Sequence, residues 1–375
     1  MDLHQRYGLT PIINAAGTFT PLGVSRSSAR VAAATAEALS QFVVIDELQD
    51  RAGRALARAT GAESGAVVHC AAAGITLSVA AAMTGASPEK AAALPDTRGL
   101  AAEAVIPAGH VVDYGHSILQ DIGLAGATPV VAGAGDRCTL GDIEGALAGP
   151  EVACLVLVSS RLTRGTSVDL AAAVEAARRR GVPAIIDGAA QDLRARALVA
   201  TGADLVILSA QKYLAAPTAG LVVGRAGAVA ALRAQERGIG RAMKPTKEAM
   251  AGVLAALEER EALDLAAWST AQHDKVARFV ARAGRLPGLR AEAVSDPTGL
   301  PFPRAEAKVD AVSAGIDAAG LAAALAQGSP SIRVMTHGLA RGRLIFELVP
   351  LSEAEIEIVL ARLTTLLGAA RPKPR

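Results

Sequence analysis

Aromatic side chains are scarce. Phe, Trp and Tyr together make up 2% of the 375 residues, so the stacking platforms on which single-stranded nucleic acid lies are nearly absent. Charge of one sign is lacking too. Lys and Arg number 38 against 36 Asp and Glu, a formal net charge of +2. The two signs are intermixed, which removes the electrostatic case for RNA, DNA or an anionic membrane surface. Cysteine is rare: Cys70, Cys138 and Cys154 are odd in number, scattered and without CxxC spacing. That pattern suits buried thiols in a reducing cytoplasm rather than disulfides or a metal site. The opening MDLHQRYGLTPII has no basic stretch leading into an apolar one, so no secretory signal is expected. Long hydrophobic runs are missing as well. The most membrane-like stretch, CAAAGITLSVAAAMTGA at 70–86, is 17 residues of mostly small side chains, short of the roughly 20 a spanning helix needs. It reads as a buried helix. These absences lead to the expectation of a cytoplasmic protein with neither membrane nor metal.

What is present is apolar and alternating. Hydrophobic residues reach 51%, and a chain of this length is enough for about two domains and can bury roughly 75% of its unfolded surface. GAVVHC (65–70), EAVIP (103–107), ATPVVAG (127–133), VACLVLVSS (152–160), VPAIID (182–187), ADLVILSA (203–210) and GLVVG (220–224) read as strands. Alanine-rich helical stretches separate most of them, including DLAAAVEAARRRG (169–181). Continuous β-branched runs divided by helices predict a mostly parallel sheet covered on both faces, the α/β class. After a long helical region at 240–284 the pattern changes. AEAVSDP, AEAKVDAVS and GRLIFELVP look like strands, and SEAEIEIVLARLTTLLG closes the chain as a helix that Ser352 can cap. The expected organisation is an N-terminal segment at 1–45, a large domain at 46–245, and a linker helix with a small α+β domain at 246–375. The terminal ARPKPR reads as a frayed tail.

In layered α/β sheets ligands sit at the carboxyl ends of the strands, so the residues just after each run matter most. VVHC is followed by Ala72, Ala73 and Gly74, small residues opening a helix. Such a turn offers free N–H groups and a positive dipole end to a phosphate, although close packing alone also calls for small residues there. VPAIID ends on Asp187, an acid that burial makes costly without a partner. It can cap the next helix or pair with a cationic ring nitrogen. LVILS is followed by Lys212, which at such depth loses charge readily and can form a Schiff base. A phosphate cup, an acid for a ring nitrogen and an amine for an aldehyde are together what pyridoxal phosphate requires.

Several segments carry a family resemblance. TPIINAAGTFTPLG (10–23), GHVVDYGHSILQDIGLAGATPVVAG (109–133), DGAAQ (187–191), SAQKYLAAPTAGLVVG (209–224), IGRAMKPTKEAM (239–250) and SIRV (331–334) resemble fold-type I pyridoxal-phosphate enzymes. Within that class they are similar to the group of seryl-tRNA selenium transferase (selenocysteine synthase) and the shorter glucosaminate-phosphate ammonia-lyases. The resemblance implies a large domain with a seven-stranded, mostly parallel sheet and a smaller C-terminal domain. It implies Lys212 as the cofactor-bearing lysine and the base for the α-proton, and Asp187 as partner of the ring nitrogen. Ala73, Gly74, Ser209 and Thr218 in the APTAG turn are the implied phosphate side of the site. His110 or His116 is implied at the ring. Arg333 is the implied carboxylate anchor, its fork matching a carboxylate with two parallel bonds; an ordinary strand arginine is the alternative. Arg241, Lys244 and Lys247 form a basic cluster at a helix start, where cations oppose the dipole, and invite an anionic partner. Arg161 and Arg164 in SSRLTRGTS do the same. Ala215 and Ala216 depart from the glycines that the group carries before the proline.

The implied reaction is α,β-elimination from a small amino acid or amino-sugar acid that can carry a phosphate, releasing ammonia and an oxo acid. The selenium transferase reaction is the alternative, with racemase, aldolase and aminotransferase chemistry using the same groups. A tRNA partner is not expected, because the near-neutral charge lacks the basic face it needs. The family motif also begins at about residue 10, leaving no room in this chain for an extra N-terminal domain. The resemblance implies a homo-oligomer, a dimer or larger.

Overall fold

The computed structural model describes residues 2–368, so the expected frayed tail ARPKPR lies outside the described residues. The chain divides into two compact units. One runs from Ser27 to Ala262; the other combines the residues up to Arg26 with those from Leu263 onward. The divisions expected at 45/46 and 245/246 therefore fall inside the larger unit. The reason is packing: the helix Lys247–Glu261, expected as a linker, lies against the helices Ala29–Leu39 and Ile45–Thr60, burying Met250, Val253, Ala256 and Leu257.

The smaller unit begins with the short helix Leu3–Tyr7 and continues into β1 (Ile12–Ala15). The larger unit holds β2 (Ser64–Val68), β3 (Glu103–Pro107), β4 (Thr128–Ala132), β5 (Val152–Val158), β6 (Ala184–Asp187), β7 (Leu205–Ser209) and β8 (Gly220–Gly224). They form one seven-stranded sheet in the order β2-β8-β7-β6-β5-β3-β4. All pairs are parallel except the two made by β8, which runs against both β2 and β7. β5 to β8 are buried almost throughout, the mark of strands covered on both faces. The run at 70–86 is a helix, Ala71–Thr84, buried on nearly every side. Its small residues let it lie close to the sheet: a Cβ on Gly74 would stand 2.9 Å from Ile207 Cγ2.

The smaller unit adds β9 (Leu289–Val294), β10 (Arg304–Val309), β11 (Ser331–Val334) and β12 (Arg343–Phe346). β1 pairs in parallel with β11, and β12-β10-β9 form an antiparallel sheet. AEAKVDAVS was expected as one strand, but β10 stops at Val309. Asp310 then accepts the Val312 N–H and starts the short helix Ala311–Ala314. The helical stretch at 240–284 is likewise divided. Helix Lys247–Glu261 ends at Ala262, and Asp264 caps Leu265–Ala283 through the N–H groups of Ala266 and Ala267. Ser352 does cap the last helix, Glu353–Gly368, exchanging bonds with Glu355. In the core of this unit Arg304 is buried between Asp296 and Glu347, with Nε 2.8 Å from Glu347 Oε2.

Candidate functional site

Six of the seven strands, all but β8, point their carboxyl ends to one edge of the large sheet, and the chemistry collects there. β6 delivers Asp187 at its last position, buried. One carboxylate oxygen accepts the Ala189 N–H at 2.9 Å. Burial pushes this carboxyl above its ordinary range, while the Lys212 charge acts in the opposite sense. β7, the neighbouring strand, ends on buried Ser209, and the turn after it carries Lys212. The Lys212 N–H donates to the Ser209 carbonyl at 3.3 Å. Its ammonium is held below the ordinary lysine range by burial; Asp187 opposes that shift and Arg161 adds to it. A buried acid at one strand end and a half-buried amine in the turn after the next strand, each pushed toward neutrality by burial, thus act on one another through their charges.

The lysine turn is braced from outside. Arg260, from helix Lys247–Glu261, donates to the Tyr213 carbonyl at 2.8 Å and to Asp192 Oδ2 at 2.7 Å. Burial pushes the Asp192 carboxyl up to about 6 even with Arg260 pulling it down. Sequence reasoning passed over both residues, since nothing in their spacing joins a helix cation to a loop acid 68 positions away. Ala215, which replaces a glycine of the resembling family, adopts a left-handed φ of +53°. Thr218 is exposed and donates to Gln211 Oε1 at 2.5 Å.

The phosphate side expected from the sequence falls at the N-terminus of helix Ala71–Thr84. Gly74 donates its N–H to the Cys70 carbonyl at 3.0 Å, which is the first bond inside the helix. It is therefore spent, and the role implied for Gly74 passes to the donors before it. Ala73 N–H meets only the Cys70 sulfur at 3.5 Å, and Ala71 and Ala72 occupy the two positions ahead of it, where helical N–H groups have no partner within the helix. β8 packs tightly against this helix start: a Cβ on Gly220 would stand 2.3 Å from the Cys70 carbonyl oxygen. Only glycine lets β8 pass so close to the helix start.

The two candidate histidines differ sharply. His110 is buried and accepts the Val158 N–H on Nδ1 at 3.0 Å. Burial lowers it to about 4, so it is a neutral brace between the turn after β3 and the end of β5. His116 keeps 37% of its side chain accessible and meets the buried Asp121. Arg161, whose charge reaches Lys212, and exposed Arg164 lie in the loop after β5; the Arg164 N–H donates to the Gly109 carbonyl at 2.9 Å. The basic cluster is less uniform than its sequence suggests. Lys247 donates to the Leu39 carbonyl at 3.3 Å and to the Gln41 carbonyl, and lies over the Phe42 ring. All three cluster residues border an open cavity of about 1250 Å³ with Arg54 and Arg237, Arg241 and Lys244 as exposed residues. Arg333 belongs to the smaller unit, exposed on β11, its Nε donating to Ser331 Oγ at 2.9 Å. Among the described residues no group of His, Cys, Asp and Glu could hold a metal ion, and no helix is long and apolar enough to cross a membrane.

The donor set fits pyridoxal phosphate: an anion cradle, a buried carboxylate short of positive charge and an amine of lowered basicity stand at one sheet edge. No family model matches the chain, but individual proteins do. It is 36% identical to D-glucosaminate-6-phosphate ammonia lyase of Salmonella typhimurium, covering 96% of this chain and 97% of that one. It is also 36% identical to a 5'-C-glycyluridine monooxygenase-decarboxylase of a Streptomyces species, over 97% of this chain and 92% of the relative. An L-seryl-tRNA(Sec) selenium transferase of Solidesulfovibrio magneticus is 30% identical over 76% of this chain, which spans 63% of that longer protein. Among solved structures, that of a D-glucosaminate-6-phosphate ammonia-lyase superposes with a TM-score of 0.87 at 34% identity, covering 99% of both chains. A Sphingomonas wittichii serine palmitoyltransferase, at 15% identity and a TM-score of 0.61 over 96% of this chain and 88% of that one, shares the fold.

Proposed function

The chain belongs to the fold-type I pyridoxal-phosphate enzymes of the glucosaminate-phosphate ammonia-lyase and selenium transferase group, and from that membership we propose a carbon–nitrogen lyase that eliminates ammonia from a phosphorylated β-hydroxy amino-sugar acid. The observation that carries the reading is the Asp187–Lys212 pair at neighbouring strand ends beside the open helix start at Ala71.

Bound pyridoxal phosphate supplies the electron sink for the bond broken at the substrate α-carbon. The chain does the rest. The N–H groups of Ala71, Ala72 and Ala73, with the Ser209 hydroxyl, hold the phosphate against the positive end of the helix. Asp187 keeps a proton on the ring nitrogen, and burial strengthens that pairing by excluding water. Lys212 is the residue that would bear the cofactor, and its Nζ is the base that would remove the α-proton. Its lowered basicity leaves a larger neutral fraction to do so. Asp192 and Arg260 hold the turn that aims it. Arg161 and Arg164 offer cations to the substrate's anionic groups. Arg241 and Lys244 sit at the cavity near the exposed Leu39, Phe42, Val43, Val44 and Ile45, of which Phe42 is 105% exposed. That apolar patch supports a homo-oligomer, and three unpaired thiols suit the cytoplasm.

The test is a panel of free and phosphorylated amino acids and amino-sugar acids, read for ammonia and oxo acid. Oxygen uptake and carbon dioxide release are followed in the same vessels, because the Streptomyces relative of equal identity carries that other chemistry in its name. Stoichiometric ammonia and oxo acid without oxygen uptake supports the lyase. Oxygen-dependent carbon dioxide release, or racemisation without ammonia, sinks it.

A further inference from the structure

One cluster beside this site has no role so far. The loop between His110 and the helix Ile118–Leu124 leaves the same edge of the sheet, at the carboxyl end of β3. Asp121, in the first turn of that helix, has its side chain 3% exposed. His116 Nε2 lies 2.9 Å from Asp121 Oδ1, and the Tyr114 hydroxyl donates to Asp121 Oδ2. The Tyr114 and His116 rings meet edge-on, centroids 4.8 Å apart. The Thr76 hydroxyl donates to the Asp121 carbonyl at 2.9 Å, tying the cluster to the helix whose start forms the phosphate cradle. Burial first, and the Asp187 carboxylate second, push the Asp121 carboxyl up to about 7. The field of the ring-nitrogen acid thus reaches Asp121.

Such an arrangement is more than packing requires. A carboxyl group on one ring nitrogen fixes the imidazole's orientation and leaves the other nitrogen facing outward. Among the described residues nothing bonds His116 Nδ1. Elimination from a β-hydroxy acid needs a group of this kind. Hydroxide leaves poorly, so the β-oxygen must gain a proton as the Cβ–O bond breaks, and Lys212 is occupied with the α-proton.

We propose that His116 is the catalytic acid for the β-hydroxyl leaving group, with Asp121 and Tyr114 as its positioning residues; this rests on the elimination reading above. The Cα–H bond gives its proton to Lys212 Nζ, and its electron pair becomes part of a Cα=Cβ bond. The Cβ–O pair leaves with oxygen, which takes the proton from His116 Nδ1 and departs as water. The released enamine tautomerises, one water hydrolyses it to the 2-oxo acid and ammonia, and Lys212 Nζ gives its proton up to solvent. His116 regains its proton from solvent. Water is lost and regained, so no oxidant or reductant enters, and the substrate class narrows to amino acids with an unactivated hydroxyl at Cβ.

The experiment uses the loaded enzyme with D-glucosaminate 6-phosphate in D2O, following both ammonia and deuterium entering Cα of recovered substrate. His116→Asn should lower ammonia release by about 100-fold or more, the scale of general acid catalysis. Deuterium exchange should stay within about threefold, because the α-proton step does not use His116. Asp121→Asn should show the same split with a smaller loss of release. Separately, titrating cofactor-free His116→Asn protein with pyridoxal phosphate should give an affinity within about threefold of wild type. Exchange and release falling together, unchanged release, or a cofactor affinity weakened beyond about thirtyfold would each overturn the inference, the last by making His116 a ring contact. A wild-type protein that exchanges and releases nothing fails the functional reading instead.

Discussion

Replacing Gly220 by alanine tests the cradle at its tightest point. The added Cβ would stand 2.3 Å from the Cys70 carbonyl oxygen, 2.5 Å from its carbon and 2.7 Å from Val68 Cγ2. Carbon atoms do not approach closer than 3.0 Å in such contacts, so something must move by about 0.7 Å. Neither side yields easily. Gly220 lies in register with Val68 on one side and Ser209 on the other, and the Cys70 carbonyl holds the first bond of its helix. Overpacking of this sort costs about 1–3 kcal/mol of stability. The displaced helix start also loses aim. Losing one charge-assisted bond to the phosphate, worth about 1.5–3 kcal/mol, weakens pyridoxal phosphate binding about 10- to 100-fold. Denaturant melts of the cofactor-free protein read the first effect, and absorbance titration reads the second. Gly227→Ala is the control: it sits in helix Ala226–Ala234 with open space around it, and should gain up to about 1 kcal/mol. If Gly220→Ala binds the cofactor as tightly as wild type, the phosphate is not held between Cys70 and Ser209.

Asp187→Asn should divide loaded and cofactor-free protein. Activity should fall by about two to four decades, the equivalent of breaking a buried charge pair at about 3–5 kcal/mol. In the cofactor-free protein, an acid whose folded pKa is raised makes the fold lose stability as pH climbs through the interval above the unfolded value of 3.8. The variant should lack that loss and melt no lower than wild type at pH 8. Arg260→Ala leaves Asp192 buried without its cation and should cost about 3–5 kcal/mol. Its melts should show a steeper loss than wild type as pH rises through and beyond 4–6, since Asp192 is already pushed up to about 6. Ala215→Gly should stabilise by about 0.5–1 kcal/mol, because the left-handed φ of +53° strains any residue with a Cβ; an unchanged or lower denaturation midpoint would count against this.

Much of this molecule is legible from its sequence, and the reason is local. EAVIP and GLVVG are strands to the residue, because β-branched runs between small-residue turns have few other solutions. Asp187, Ser209 and Lys212 announce themselves by ending such runs. What stays hidden depends on contacts between distant segments. Arg260 reaches Asp192 across 68 positions, and Gly220 is special only because Cys70 lies 2.3 Å from its missing side chain. Gly74 reads as a phosphate donor until the helix start is located at Ala71, when its N–H proves to be spent. Asp121 carries a faint signal, an acid four residues past a serine that caps its helix, but its burial against Tyr114 and His116 cannot be seen in the string. The break at Ala262 within the helical region follows from a single capping aspartate, Asp264, too small a signal against strong helix formers on both sides.

The most direct measurement is chemical. Borohydride reduction of the loaded protein followed by peptide mapping should place one cofactor mass per chain on the peptide containing Lys212, and none after Lys212→Ala. A label on Lys244, Lys247 or any other lysine, or a protein that takes up no pyridoxal phosphate, would contradict the account of the Asp187–Lys212 site.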